Sequence, residues 1–124
     1  MKLGRTTAAR TEYEKAVELT AEALAVNPND ATAIGQLAVY EAKLGRQREA
    51  QRDIERALAI NPTSPELFHR QAAVAALAGN AVSALEAVSQ AIAKGYSPAL
   101  VREDDDLASL RSMPAFQALI ARAK

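Results

Sequence analysis

The chain has 124 residues, a length that suits one domain with a single continuous core. Aromatic residues make up only 4% of it and alanine is abundant, which favours closely packed helices over a sheet core. The formal net charge is zero, and binding to nucleic acid or to a membrane surface needs a basic excess that this composition lacks. We therefore expect neither nucleic acid nor membrane as a partner.

The composition also limits the chemistry of the chain. Because it contains no cysteine, disulfides, a thiol nucleophile and cysteine–zinc sites are excluded. The basic first residues are not followed by an apolar run, so they do not resemble a signal peptide. No stretch approaches the roughly 18 apolar residues of a membrane span. We expect a cytoplasmic location for the chain by itself, with no cofactor and no metal.

Apolar periodicity and capping residues predict six helices in the first three quarters of the chain. The predicted helices lie near 2–10, 12–26, 31–44, 47–60, 65–78 and 81–94. A capping box of Thr11 and Glu14 would begin the second helix. The N-caps predicted for later helices are Asp30, Ser64 (followed by Pro65) and Asn80.

The last thirty residues carry a different pattern, interrupted by Gly95, Pro98 and Pro114. Asp106 is predicted to cap a short helix over 107–111, so that the acidic run 103–106 forms a helix N-terminus. A final helix is predicted from an apolar face with helical spacing, made of Phe116, Leu119, Ile120 and Ala123.

One sequence pattern recurs along the chain. Residues 23–28 read ALAVNP and residues 57–62 read ALAINP, which places Pro28 and Pro62 34 residues apart. The positions aligned at the same period are Ala16, Ala50 and Ala84; Ala23, Ala57 and Ala91; Leu24, Leu58 and Ile92; and Gly45 with Gly79. This periodicity indicates a repeat architecture.

The pattern resembles the tetratricopeptide repeat, whose period is about 34 residues. Residues that match the family are Ile34 and Phe68 early in the first helices, Leu37-Ala38 after them, Gly45 and Gly79 at the inter-helix turns, and Ala50 and Ala84 in the second helices. The chain departs from the family at Gln47 and Ala81, which replace a tyrosine that Tyr13 does supply.

The resemblance implies an all-α fold: an antiparallel helix-hairpin superhelix of about two and a half repeats with short C-terminal capping helices. We expect a single domain over 1–124, divided into a partial first repeat (1–30), a second (31–64), a third (65–98) and a cap (99–124). The cap resembles segments that close repeat arrays in bacterial signalling proteins, with Leu107-x-x-Leu110-Arg111 and Pro114-x-Phe116. The first helix would begin before Met1, which favours a fragment of a longer array.

In this family the first helices of the repeats line a concave groove that binds proteins or peptides. The positions predicted to face this groove are Arg5, Thr32, Gln36, Val39, Lys43, Glu66, His69, Arg70 and Ala73. The cations among them, Arg5, Lys43 and Arg70, suit a peptide that carries a carboxylate. The alternative interpretation is that these are ordinary solvated residues.

Catalytic chemistry has few candidate residues. His69 is the single histidine, and Glu66, one helical turn before it, could hydrogen-bond to it. No serine lies in a strand–turn–helix elbow, because no strand is predicted. The acidic run 103–106 lacks the spacing of a calcium-binding loop.

The sequence therefore predicts a non-catalytic scaffold that binds a protein or peptide segment in its concave groove. The alternative is an oligomerisation or spacer module of a larger bacterial signalling or regulatory protein. In that case a homo-oligomer could form through the truncated N-terminal end.

Overall fold

The computed structural model describes residues 2–122, and it describes side chains from residue 8 onward. The chain forms helices throughout this range, without a strand. The α-helices are α1 (Lys2–Val26), α2 (Ala31–Lys43), α3 (Gln47–Ile60), α4 (Pro65–Leu77), α5 (Ala81–Ala93), α6 (Pro98–Glu103) and α7 (Pro114–Arg122), with a 3-10 helix at Asp105–Leu110. The all-α prediction is confirmed, and α2 to α5 agree with their predicted bounds to within one residue.

Side-chain caps begin the helices, as the sequence predicted. Asp30, Ser64 and Asn80 each accept a hydrogen bond from the backbone N–H three residues later, at 3.1, 3.2 and 3.2 Å. Ser97 does the same at 3.3 Å and starts α6, with Pro98 in the first turn. This Ser-Pro pair repeats the arrangement at Ser64, yet α6 was not predicted from the sequence.

A glycine with left-handed backbone ends each of three helices. Gly45, Gly79 and Gly95 have φ values of 79°, 80° and 107°. At each turn the residue after the glycine donates its N–H to the carbonyl five residues earlier, at 2.9 Å. This is the Schellman arrangement, which favours glycine because other residues pay a steric penalty at positive φ. The first two of these turns close the α2–α3 and α4–α5 hairpins.

The first 26 residues correct the prediction. Two helices, 2–10 and 12–26, were expected, but the structure has the single helix α1. Position 11 aligns with Gly45 and Gly79, and it holds Thr11. A β-branched residue adopts the left-handed conformation only at considerable cost, so the helix continues through it. The predicted capping box at this position was therefore wrong.

Small side chains allow the helices of the hairpins to approach closely. Ala38, Ala50, Ala57, Ala72 and Ala84 are all fully buried between them. Larger apolar residues fill the remaining space, and the fully buried ones are Ile34, Ile54, Leu67 and Val88.

Residues 98–122, which we call the cap, pack against α4 and α5. The cap contributes to the main apolar cluster with Val101, Leu107, Leu110, Phe116 and Ile120. The predicted helix at 107–111 is instead the 3-10 helix, and its N-cap is Asp104, which accepts from the Asp106 N–H at 2.9 Å. The predicted N-cap, Asp106, was wrong. The sequence alone does not show which acid of the run accepts a hydrogen bond from the backbone.

The cap is predicted to stabilise the array through Phe116, which is only 2% exposed. Phe116→Ala should lower the free energy of unfolding by about 3–5 kcal/mol, since it leaves a cavity beside α7. Urea denaturation followed by circular dichroism measures the loss. Leu100→Ala, at a cap residue that is 58% exposed, is the control and should change stability little; equal losses would contradict a buried role for Phe116.

Candidate partner-binding groove

Part of the predicted groove is covered by the cap. Val39, His69 and Ala73 are 7%, 7% and 2% exposed. Val39 and Ala73 belong to the same buried apolar cluster as Leu107 and Leu110 of the 3-10 helix. These three side chains, which were predicted to face the groove, lie beneath the cap.

His69 is held on two sides. Its Nε2 atom lies 2.6 Å from Oδ2 of Asp104, and its ring stacks on Tyr96 with the ring centroids 4.3 Å apart. Burial raises the pKa of Tyr96, and the nearby Asp104 carboxylate raises it further. Glu66, which could have hydrogen-bonded to His69, instead accepts a hydrogen bond from Arg70 at 3.3 Å.

Lys43 is also used within the chain. Its Nζ atom lies 3.4 Å from Oδ1 of Asp106 and 5.0 Å from the centre of the Tyr13 ring. Together with the His69–Asp104 contact, this pair places two acids of the run 103–106 on two predicted groove residues. The chain's own acidic segment therefore pairs with Lys43, one of the three cations predicted to meet an acidic peptide.

The other two acids of the run are exposed and paired. Glu103 lies 3.7 Å from Arg102, and Asp105 lies 3.2 Å from Arg111. Among the residues described by the structure, no group of three or more histidine, aspartate or glutamate side chains is placed to hold a metal ion. The run thus serves as a helix cap and as a source of ion pairs.

The opposite end of the groove stays open. We call it the open groove end; it consists of Thr32 and Gln36 on α2 and of Glu66 and Arg70 on α4. Thr32 and Glu66 are exposed, while Gln36 and Arg70 are half-buried. Arg5, also predicted for the groove, lies outside the residues whose side chains the structure describes.

Arg70 lies across the contact between α2 and α4. A Cβ atom added at Gly35 would come within 3.1 Å of the Arg70 Cδ and 2.6 Å of the Leu67 Cδ2, so the absence of a side chain at Gly35 makes room for both. The Nε atom of Arg70 is buried and has no hydrogen-bond partner in the protein. Its Nη2 donates to Glu66, which leaves the guanidinium only partly satisfied.

The His69–Asp104 pair contains two of the three groups of a nucleophilic triad. The remaining ring nitrogen, Nδ1, is buried and has no hydrogen-bond partner within the described structure. A triad requires a nucleophile within reach of that nitrogen. The geometry is instead that of a contact that fastens the cap to α4.

A second acidic pair is buried between α2 and α3. Glu41 and Asp53 are 6% and 2% exposed, and their carboxyl groups are close enough to interact. Oδ1 of Asp53 also lies 3.6 Å from Arg52 and 4.0 Å from Arg56. Burial, followed by the contact with Asp53, raises the pKa of Glu41 to about 8. The pair therefore holds one proton at neutral pH.

Sequence reasoning missed this acid pair. At the period of 34 residues, Glu41 and Asp53 align with Ala75 and Ala87, which are 8% and 3% exposed. The signal that could have revealed the pair is that this hairpin has acids at two positions where the other hairpin has buried alanine.

The fold and the groove define a helical repeat protein in which helix hairpins stack side by side. A family profile described as tetratricopeptide repeat matches residues 1–63, just over half of the chain. The chain belongs to the tetratricopeptide repeat family, which confirms the resemblance seen in the sequence.

A second family profile, described as the N-terminal domain of A/B hydrolase-like proteins, matches residues 35–124. This match covers nearly three quarters of the chain and includes the α4–α5 hairpin and the cap. A search of curated proteins found no match to the chain. Among residues 2–122, no helix is both long and apolar enough to cross a membrane.

The buried acid pair predicts an unusual dependence of stability on pH. Because the pKa of Glu41 rises from 4.5 to about 8 on folding, the folded chain holds a proton that the unfolded chain releases. This contribution to stability is complete below pH 4.5 and is lost as the pH rises towards 8, at about 1.4 kcal/mol per pH unit.

Glu41→Gln should remove this loss, since an amide N–H can donate to Asp53 at any pH. Urea denaturation of both proteins from pH 5 to 8 tests this. As the pH rises, the free energy of unfolding of the variant should increase relative to that of the wild type. Glu55→Gln, at an exposed residue of α3, is the control. Parallel pH profiles for wild type and Glu41→Gln would contradict the shared proton.

Proposed function

We propose that this chain is a non-catalytic scaffold that binds a protein segment at its open groove end. Tetratricopeptide repeats typically present a concave surface to other proteins, which supports this function at the level of the family. The site itself is argued from Arg70, because fold alone does not specify a partner.

The observation that carries the proposal is the unsatisfied guanidinium of Arg70. Its Nε is buried without a partner in the protein, and buried N–H groups are nearly always hydrogen-bonded. The side chain is 25% exposed and pairs with the exposed Glu66. Because Nε itself is buried, a bound segment would reach the guanidinium through its exposed part, and Gln36, next to Gly35 on α2, can both donate and accept.

The charge of the open groove end favours a short stretch of partner backbone or a single carboxylate. Arg70 is already paired with Glu66, so the site as a whole is close to neutral. Lys43, which would have extended the positive surface, is bound to Asp106 of the cap. We therefore infer that the partner offers one acceptor oxygen to Arg70, and that a long acidic segment would meet repulsion from Glu66 and the cap.

The non-catalytic role is argued from the fold of this unit and not from its similarity to the N-terminal domain of A/B hydrolase-like proteins. A hydrolase nucleophile stands on a turn between a strand and a helix. The described residues contain no strand. We propose that, in a protein of that architecture, this helical unit binds or positions other protein segments while a different domain carries any chemistry.

A second candidate function is self-association, or spacing within a longer protein. One observation favours it: among the described side chains of α1, the large apolar residues Leu19 and Val26 are 55% and 88% exposed. Such residues are common at surfaces that another protein covers. This function would use α1, whereas partner binding uses the open groove end.

Partner binding can be tested with a peptide array. Each peptide sequence is present in two forms, one with a free C-terminal carboxylate and one with a C-terminal amide. For peptides that bind, Arg70→Ala should weaken affinity by about 10- to 100-fold, the effect of losing a charge-assisted hydrogen bond. Fluorescence anisotropy with the same peptides in solution gives the dissociation constants.

Two further variants separate the roles of Arg70. Arg70→Lys keeps the charge but lacks the fork of guanidinium N–H donors, so it should recover little of the affinity if that fork binds the partner oxygen. Arg48→Ala, at an exposed position of α3, is the matched control and should bind as the wild type does. Peptides that bind all four proteins equally would refute the proposed site.

A further inference from the structure

One face of α1 is uncovered at positions that are buried in the other two hairpins. The second helices of the two hairpins, α3 and α5, each bury four aligned positions against the first helix. In α3 these are Ala50, Asp53, Ile54 and Ala57, and in α5 they are Ala84, Ala87, Val88 and Ala91. These eight residues are at most 3% exposed. They repeat with the spacing of a single helix face.

The same four positions in α1 are open. They are Ala16, Leu19, Thr20 and Ala23, of which Leu19 and Ala23 are exposed and the other two half-buried. The reason is the continuous helix: since Thr11 does not turn, residues 2–10 extend away from residues 12–26 and cannot fold back onto them. The docking face for a first helix is present, but the segment that should cover it lies on the same straight helix.

We propose that a second copy of this chain covers this face, with residues 2–10 of each copy packing antiparallel on residues 12–20 of the other. This deepens the second candidate function above and rests on it. The exchange restores between two chains the hairpin that Thr11 prevents within one, and it is symmetric, as most homodimers are.

Charge supports a second copy as the occupant. Residues 2–10 carry three basic side chains and no acidic one, whereas residues 12–26 carry four acidic side chains and one basic one. An antiparallel arrangement places the basic part of each α1 along the acidic part of the other, and a parallel arrangement would oppose like charges. The complementary segments are Lys2, Arg5 and Arg10, and Glu12, Glu14, Glu18 and Glu22.

The register follows from the hairpins already present. In the α2–α3 hairpin, Leu37 and Asp53 lie eight residues before and eight after Gly45, and both are buried where the helices meet. Around Thr11 the equivalent positions are 3 and 19. The exchanged pair would thus bring Leu3 of one copy opposite Leu19 of the other, which would cover an exposed leucine with an apolar partner.

The oligomeric state of the full chain is the first test. Sedimentation equilibrium should detect a dimer, and Leu19→Glu should raise its dissociation constant by at least about tenfold, because the charge would be buried without a partner. Val82→Glu, at an apolar residue of α5 that is 69% exposed, is the matched control and should leave the dimer intact. A wild-type chain that stays monomeric at about 0.1 mM, well above the dissociation constants of typical specific dimers, would overturn both the inference and the self-association function.

A cysteine pair tests the register. Since the chain contains no cysteine, the double variant Leu3→Cys/Leu19→Cys should form a covalent dimer on mild oxidation. Within one helix the two positions are about 24 Å apart, far beyond the reach of a disulfide. Each single variant should remain uncrosslinked, because the proposed symmetry places identical positions at opposite ends of the helix pair.

The outcomes separate the inference from the broader function. A dimer that fails to crosslink in the double variant would overturn the antiparallel exchange while leaving self-association standing. Crosslinking of Leu3→Cys alone would indicate a parallel pair and would also overturn it. Thr11→Gly, which permits the turn within one chain, should shift the population towards monomer, and Arg70→Ala should remain dimeric.

Discussion

The turn between two antiparallel helices is the constraint on which the rest of the structure depends. At Gly45 and Gly79 the backbone enters the left-handed region, the helix ends, and the next helix folds back along it. The six-residue hydrogen-bonded loop that closes each turn is available at low cost to glycine and at high cost to a β-branched residue. Thr11 occupies the same place in the period of 34 residues, and one long helix results.

This single difference divides the molecule into a closed part and an open part. From α2 onward, each first helix has a second helix against it, and alanine at the contact lets the two approach closely. In α1 the equivalent residues Leu19 and Ala23 are exposed. The surface chemistry of the N-terminal region is therefore a consequence of backbone conformation at one residue.

The cap determines how much of the groove remains for a partner. Asp104 and Asp106 bind His69 and Lys43, and Leu107 and Leu110 join the apolar cluster that includes Val39 and Ala73. Two side chains predicted to line the groove, Lys43 and His69, are thus already paired with acids of the chain itself. The end of the groove that remains open is the one where Arg70 passes over Gly35. The Nε of Arg70 has no hydrogen-bond partner in the protein there.

Local signals made much of the fold predictable. The repeat period, the caps at Asp30, Ser64 and Asn80, and the glycines at the turns each act within about one helical turn, so they can be read without knowing what packs where. The same reasoning failed where two local signals competed. Thr11 with Glu14 has the pattern of a capping box, but a cap begins a helix only where the preceding one stops, and no residue there stops it.

The groove residues were only partly predictable, for a different reason. Helical spacing placed Val39, Lys43, His69 and Ala73 on the inner faces of α2 and α4, but spacing does not reveal what lies against a face. The partner of His69 is 35 residues further along the chain. The pairing of Glu41 with Asp53 likewise depends on how α2 packs against α3, because each helix supplies one of the two acids.

The sequence by itself determined the helices, their order and the turns that pair them, because these depend on contacts between near neighbours in the chain. Only the tertiary structure decided which groove side chains are covered and which face of α1 is left bare. Those outcomes depend on the docking of distant segments, where burial and charge pairing are summed over many residues that the local pattern does not connect.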